Sequence, residues 1–172
     1  PAVVFHTQEE LLTAFQDGWL NRDFIAVVRF QGPQATGMPE LHKLITPLSV
    51  LMDHGHTVAM VTDGRLSGAS GKVPAAIHVT PEALCGGMLA KVRDGDLIRL
   101  DVGTDRLDLL LDEEVIKARE YADPDVKKAR YGMGRQIFAP LRSNLLSPEE
   151  GASSLFTYVY EKCQVNFPFQ EE

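Results

Sequence analysis

Apolar positions recur at helical spacing over residues 8–18, where Leu11, Leu12 and Phe15 lead toward Trp19 behind the capping-box pair Thr7 and Glu10. Residues 21–23 form a turn, and FIAVVRF at 24–30 reads as a buried strand by its β-branched and aromatic content. That strand runs into QGPQATGMPE, a loop of glycines and prolines. Residues 41–54 return to a helical period, which Pro47 breaks or restarts as a first-turn residue after Thr46. TVAMV at 57–61 is a second buried strand, and it enters TDGRLSGASGKVPAAIHVTPE at 62–82. The pattern leaves residues 74–77 open between helix and extended chain. Residues 81–84 read as a short helical turn stopped by Gly86 and Gly87.

Beyond Leu89 the period changes. LAKV, the turn Arg93-Asp94-Gly95-Asp96, LIRLD and the run from Arg106 to Leu111 predict three antiparallel strands. Asp112 then caps a helix whose first turn carries Glu113 and Glu114, favourable at the positive end of its dipole. A further helix, disturbed at Pro140, is expected over 134–146. Ser147-Pro148-Glu149-Glu150 is a helix start that Gly151 weakens, and no period is visible after Phe156. The expected class is α/β, with a parallel pair early and a meander late.

Composition narrows the chemistry. The chain has 172 residues, 44% hydrophobic and 24% charged, which suits one globular domain. Its net charge of −7 argues against nucleic acid or an anionic membrane surface as the main partner. No stretch approaches the roughly 18–20 apolar residues of a membrane span, and no signal-peptide pattern opens the chain. Cys85 and Cys163 are the only cysteines and have no metal-ligand spacing, which points to a reducing cytoplasm rather than a disulfide framework.

The chemistry concentrates in two loops. Strand, glycine loop and helix follow one another twice, at 24–41 and 57–76. Parallel neighbouring strands open both loops on the same edge, where open α/β sheets bind ligands. Glu40 of the first loop then approaches Ser67 of the second. Glu40 is a hard oxygen ligand suited to magnesium, or a general base. Ser67 is a base or nucleophile only where a metal or positive charge lowers its hydroxyl pKa. Each residue alone has a plain reading, the glutamate as a solvated helix-start residue and the serine as a turn former. Their occurrence at two strand exits favours the site.

Arg65, Lys72 and the glycines of the second loop suit an anion. Gly71-Lys72 is not a P-loop, because Leu66 and Val73 stand where G-x-x-x-x-G-K-[ST] needs glycine and a hydroxyl residue. Phosphate contact by Ser70, Gly71 and Lys72 survives without a nucleotide. His78 and Glu82 straddle Pro81 and make a poor helical ligand pair. Cys85 reads as a packing residue.

GMPE at 37–40, TDGRLSG at 62–68 and ASGKVPAAIHVTPEA at 69–83 resemble the C-terminal part of the dihydroxy-acid dehydratase / phosphogluconate dehydratase family, with the last stretch pointing to the phosphogluconate branch. The resemblance runs from about residue 24 to 156. It implies a single C-terminal domain, residues 1–172, of a larger subunit whose absent N-terminal domain holds a 4Fe-4S cluster. The implied fold is a mixed β-sheet or β-barrel-like domain flanked by helices, like the aconitase swivel domain. The implied reaction removes water from 6-phospho-D-gluconate to give 2-dehydro-3-deoxy-6-phosphogluconate, in the Entner–Doudoroff pathway. Carried onto this chain, Ser67 becomes the base and Glu40 a Mg2+ ligand. Asp63, Arg65, Gly68, Ser70, Gly71 and Lys72 become substrate-binding positions. A cytoplasmic homodimer is expected, and the fragment by itself is expected to be inactive. Two alternatives are a dihydroxy-acid or aldonate dehydratase domain and a non-catalytic phosphate-binding module.

Overall fold

The computed structural model describes residues 1–67, 71–123 and 131–155. Four parallel strands form its centre, in the order β1 (Ala2–Phe5), β2 (Phe24–Val28), β3 (Val58–Thr62) and β4 (Ala75–Ala76). The register pairs Val4 with Val27 and Val27 in turn with Val61. All four strands therefore point their carboxyl ends at one edge.

Side chains alternate across the strands, and both faces are covered, as a parallel sheet requires. Phe24, Ala26, Val28, Val58 and Met60 face a core closed by α1 (Gln8–Gln16), α3 (Ile45–Asp53) and the turn that precedes α3, through Leu11, Leu44, Leu48 and Leu51. Val27 and Val61 face the opposite way, onto Phe30, Ala35, Ala83, Leu89, Ala90 and Val92. At about 25 cal/mol per Å2 of apolar area, each fully buried Val, Leu or Phe contributes roughly 1.5–3 kcal/mol, so this two-faced core dominates stability.

α1 starts where the capping pattern placed it. Thr7 Oγ1 accepts the Glu10 N–H at 3.2 Å. Glu10 Oε2 reaches one residue further back than a capping box does, to the His6 N–H at 2.6 Å. The helical stretch after Glu40 divides into a 3-10 turn, His42–Leu44, and α3. Pro47 sits in the first turn of α3, where its missing N–H costs nothing. Between β2 and the 3-10 turn lies α2 (Pro33–Thr36), a single turn ended by Gly37 in the left-handed conformation at φ 78°.

The second half departs from the expected meander. LAKV is not a strand: Met88–Lys91 is a 3-10 turn. Leu89, Ala90 and Val92 pack onto the sheet, while the Leu89 and Val92 carbonyls accept from Arg29 Nη1 at 3.0 and 2.9 Å. A side chain thus satisfies the acceptors that a strand partner would have taken. The antiparallel element is only a pair, β5 (Ile98–Asp101) and β6 (Arg106–Leu109). Among the described residues the strands form an open sheet and this pair, with no closed barrel, so the barrel-like alternative gives way to the helix-flanked α/β form.

α4 (Glu113–Ala118) is tied back by Arg119, whose guanidinium grips the Asp96 carboxylate with two nitrogens. α5 (Met133–Ile137) and α6 (Ala139–Ser143) replace the one interrupted helix, with Pro140 in the first turn of α6. Ser147 and Glu150 complete a capping box on the 3-10 turn Pro148–Glu150, and Gly151 ends it. No helix among the described residues is long and apolar enough to cross a membrane. The tail beyond Leu155 lies outside the described residues.

Candidate active site

The carboxyl ends of β2 and β3 deliver the two polar loops side by side. Glu40 and Arg65 form an isolated parallel bridge. The Leu41 N–H donates to the Arg65 carbonyl at 3.2 Å, and Arg65 Nε donates to the Met38 carbonyl at 2.8 Å. Gly64 makes this approach possible. A Cβ there would lie 2.7 Å from Gln31 Cβ and 3.0 Å from Leu41 Cδ1.

At the centre, Glu40 Oε1 accepts the Ser67 N–H at 2.9 Å and the His42 N–H at 3.1 Å. Arg65 Nη1 stands 3.1 Å from Glu40 Oε2 as an ion pair, without the alignment of a hydrogen bond. That oxygen is buried and has no aligned donor. The Ser67 hydroxyl and N–H, with help from the His42 N–H and the Arg65 charge, hold the Glu40 carboxyl below the ordinary carboxylate range. Ser67 itself is exposed at the open side of the loop.

His42 closes the arrangement. Its Nδ1 lies 2.9 Å from the Ser67 carbonyl oxygen, which can only accept, so Nδ1 carries the hydrogen and donates it to that oxygen. The sequence reading passed over His42. Its position two residues after Glu40 is the only hint, since nothing local says that it meets residue 67.

The other expected positions separate into two groups. Asp63 is fully buried, and its carboxylate accepts the N–H groups of Phe30, Gln31 and Ala83 at 3.2, 2.9 and 2.9 Å. Burial pushes its pKa up against those three donors. Asp63 therefore acts from beneath, fastening both loops, and turns no free oxygen outward. Arg65 is half exposed but directed at Met38 and Glu40. Gly71 is exposed at φ 73°, and Lys72 Nζ reaches Asp53 of α3 at 2.6 Å, not Glu40 or Ser67. Gly68 and Ser70 lie outside the described residues.

His78 and Glu82 do not act as a ligand pair. The exposed His78 joins the loop through its backbone, donating N–H to the Gly64 carbonyl at 3.0 Å, with φ in the left-handed region at 54°. Glu82 is buried and accepts the N–H groups of Gln34 and Ala35. The Cys85 thiol is pushed above its ordinary pKa by burial and by the Glu82 and Asp63 carboxylates, which disfavours a thiolate.

An α/β domain of this form, with two strand-exit loops locked together through a glutamate and a serine, belongs to the open α/β sheets, a class that binds ligands at the carboxyl edge of its strands. The chain belongs to the family described as Dihydroxy-acid/6-phosphogluconate dehydratase C-terminal, whose model matches residues 1–152. It is 57% identical to the phosphogluconate dehydratase of Escherichia coli (strain K12) over 155 residues, 90% of this chain and 26% of that protein. The phosphogluconate dehydratase of Rhizobium meliloti (strain 1021) is 52% identical over 91% of this chain and 26% of its own length. The dihydroxy-acid dehydratase of Pyrococcus furiosus is more distant, 44% identical over 74% of this chain and 23% of its own. The chain spans about a quarter of the length of the curated relatives it matches.

Proposed function

We propose that this chain is the C-terminal domain of a phosphogluconate dehydratase subunit and that it contributes half of the active site. The Glu40–Ser67 contact is the observation that carries the reading. The higher identity to phosphogluconate dehydratases than to the dihydroxy-acid enzyme favours the phosphorylated substrate over the alternatives. The subunit is assigned to the cytoplasm, as a homodimer, on the strength of the family resemblance.

In the proposed reaction Ser67 Oγ removes the C2 proton of 6-phospho-D-gluconate. The electron pair forms the C2–C3 double bond, and the C3 hydroxyl leaves and takes up a proton as water. The enol then tautomerises to the 2-keto acid, gaining a proton at C3. A serine hydroxyl beside a carboxylate donates to it and remains neutral, so Glu40 by itself does not make Ser67 a base. Oε2 of Glu40, buried and without an aligned hydrogen bond, fits one coordination position of Mg2+ if the Arg65 guanidinium now 3.1 Å from it gives way; the ion is commonly held by one or two carboxylates plus substrate and water. Bound there, the cation would supply the positive charge that lowers a nearby hydroxyl pKa. Among the described residues no group of three His, Cys, Asp or Glu side chains could hold a metal, so further ligands are assigned to the rest of the subunit and the substrate.

The described residues do not fit a 4Fe-4S cluster. Cys85 is the one cysteine among the described residues, and its raised thiol pKa disfavours the thiolate that a cluster ligand needs. The cluster is assigned to the N-terminal domain of the subunit. The serine roles separate in the full-length subunit carrying Ser67→Ala. Turnover falls roughly 10²- to 10⁴-fold, as loss of a general base requires, while cluster absorbance stays at its wild-type value. Normal turnover with an intact cluster would reduce the domain to phosphate binding or assembly.

A further inference from the structure

The loop that carries Glu40 has no cap of its own. Gly32 occupies the N-cap of α2 and brings no side chain, and Pro33 follows it without an N–H. The first two amides needing acceptors are therefore those of Gln34 and Ala35. Both are met from another part of the chain. Glu82 Oε1 accepts the Gln34 N–H at 2.9 Å, and Glu82 Oε2 accepts the Ala35 N–H at 3.1 Å, across 48 and 47 positions respectively. Glycine at 32 is what admits the carboxylate, since a Cβ there would lie 2.3 Å from Glu82 Oε2 and 2.8 Å from Glu82 Cβ.

Glu82 is itself held tightly. It is only 3% exposed, and its carbonyl accepts the N–H groups of Cys85 and Gly87 at 2.9 and 3.0 Å. Asp63, at the end of β3, fixes the neighbouring Ala83 N–H at 2.9 Å. Downstream of the cap the path to the site is short. The Met38 N–H returns to the Gly32 carbonyl at 3.2 Å, the Met38 carbonyl takes Arg65 Nε, and Glu40 follows two residues later. Burying a carboxylate is costly, and burial pushes the Glu82 pKa up. A neutral cap such as serine at position 32 would satisfy only one amide, whereas Glu82 satisfies two and ties the loop to the segment after β4.

We propose that Glu82 is a positioning residue for the reaction: it caps α2 from a distance and thereby sets where Glu40 and, through it, Ser67 stand. The inference rests on the Glu40–Ser67 reading given under Proposed function. A purely structural glutamate would affect folding alone. A positioning residue affects turnover in a protein that is still folded.

The test uses the full-length subunit with Glu82→Gln, Glu82→Ala and Gly32→Ala, reading kcat, unfolding midpoint and amide hydrogen exchange over residues 33–41. Glutamine keeps one carbonyl acceptor and alanine keeps none. Gly32→Ala expels the carboxylate without changing a charge, and it stands in if the Glu82 variants do not fold. We expect exchange to quicken at Gln34, Ala35 and onward to Leu41, with kcat reduced about tenfold or more at temperatures well below the midpoint. Glu82→Gln is expected to retain more turnover than Glu82→Ala. Quickened exchange at Gln34 and Ala35 with wild-type kcat overturns the proposal, as does unchanged exchange in all three variants. Normal turnover in Ser67→Ala overturns the base reading instead. Exchange at residues 38–41 in Glu82→Gln then still decides the placement of Glu40, quickening upholding it and wild-type protection overturning it.

Discussion

Glu40 and Ser67, 27 positions apart, meet at 2.9 Å, the serine N–H donating to Glu40 Oε1. The serine amide and hydroxyl favour the ionised carboxylate, so Glu40 ionises below the ordinary value of 4.5. The contact therefore favours folding at neutral pH and weakens as the pH falls through the lowered folded value. Carbon-detected NMR titration of the full-length subunit should find Glu40 titrating below an exposed glutamate. Ser67→Ala should move it back up. An unmoved titration would mean that Ser67 does not set the charge on Glu40.

Gly64 keeps the two loops in contact. Gly64→Ala places a methyl group against Gln31 Cβ, Leu41 Cδ1 and the Gln31 carbonyl, which lies 3.2 Å from the added carbon. Overpacking of this kind costs about 1–3 kcal/mol. The expected result is a lower unfolding midpoint together with a Glu40 titration shifted toward its ordinary value. A stable variant with wild-type titration would show that the loops have room to spare.

Lys72 is paired with Asp53 on the surface, with the two side chains 40% and 64% exposed. Such a pair is worth about 0–1 kcal/mol and can be given up to an incoming anion. In the full-length enzyme Lys72→Ala is expected to raise KM for 6-phosphogluconate roughly tenfold, the worth of one charge-assisted contact, and to leave an unphosphorylated aldonate unchanged. Equal losses on both acids would remove the phosphate assignment.

Asp96 and Arg119 join α4 to the chain before β5, both largely withdrawn from solvent at 8% and 13% exposure. Arg119→Ala leaves the Asp96 carboxylate with the Arg93 N–H, 2.8 Å from Oδ2, and without its charge partner, and is expected to cost about 1–3 kcal/mol. The check is amide exchange in α4, which should quicken. Arg119 holds Asp96 below its ordinary value of 3.8, so this contribution is complete above that pH and is lost as the pH falls through the lowered folded value. Asp63 and Glu82 have the opposite sign. Burial raises both, so protonation favours the folded state and their contribution grows as the pH falls through their raised folded values. Acid exchange profiles of α4 in Arg119→Ala should lose the first dependence and keep the second. A profile unchanged by the substitution would count against the ion pair.

Much of the fold is written locally. Alternation and β-branched content place β2 and β3, and the cap at Thr7 places α1, because these signals lie within a few residues of the element they define. β1 escaped and β4 stayed open between helix and extended chain, because AVVF and Ala75-Ala76 are too short to show a period. They are strands only because a parallel neighbour takes their hydrogen bonds. LAKV misled for the converse reason: it has strand composition, but Arg29 takes its carbonyls and the sheet face takes its side chains.

The site divides in the same way. The sequence determined the two polar loops, their order after parallel strands, and the residue types at 40 and 67, since composition and spacing are local properties. Tertiary structure decided that Glu40 receives the Ser67 amide, that His42 closes on the Ser67 carbonyl, and that Asp63 and Glu82 lie beneath the loops as buried acceptors. A hydrogen bond between residues 20–47 positions apart leaves no mark on either local pattern. It appears only once the sheet has brought both strand ends to one edge.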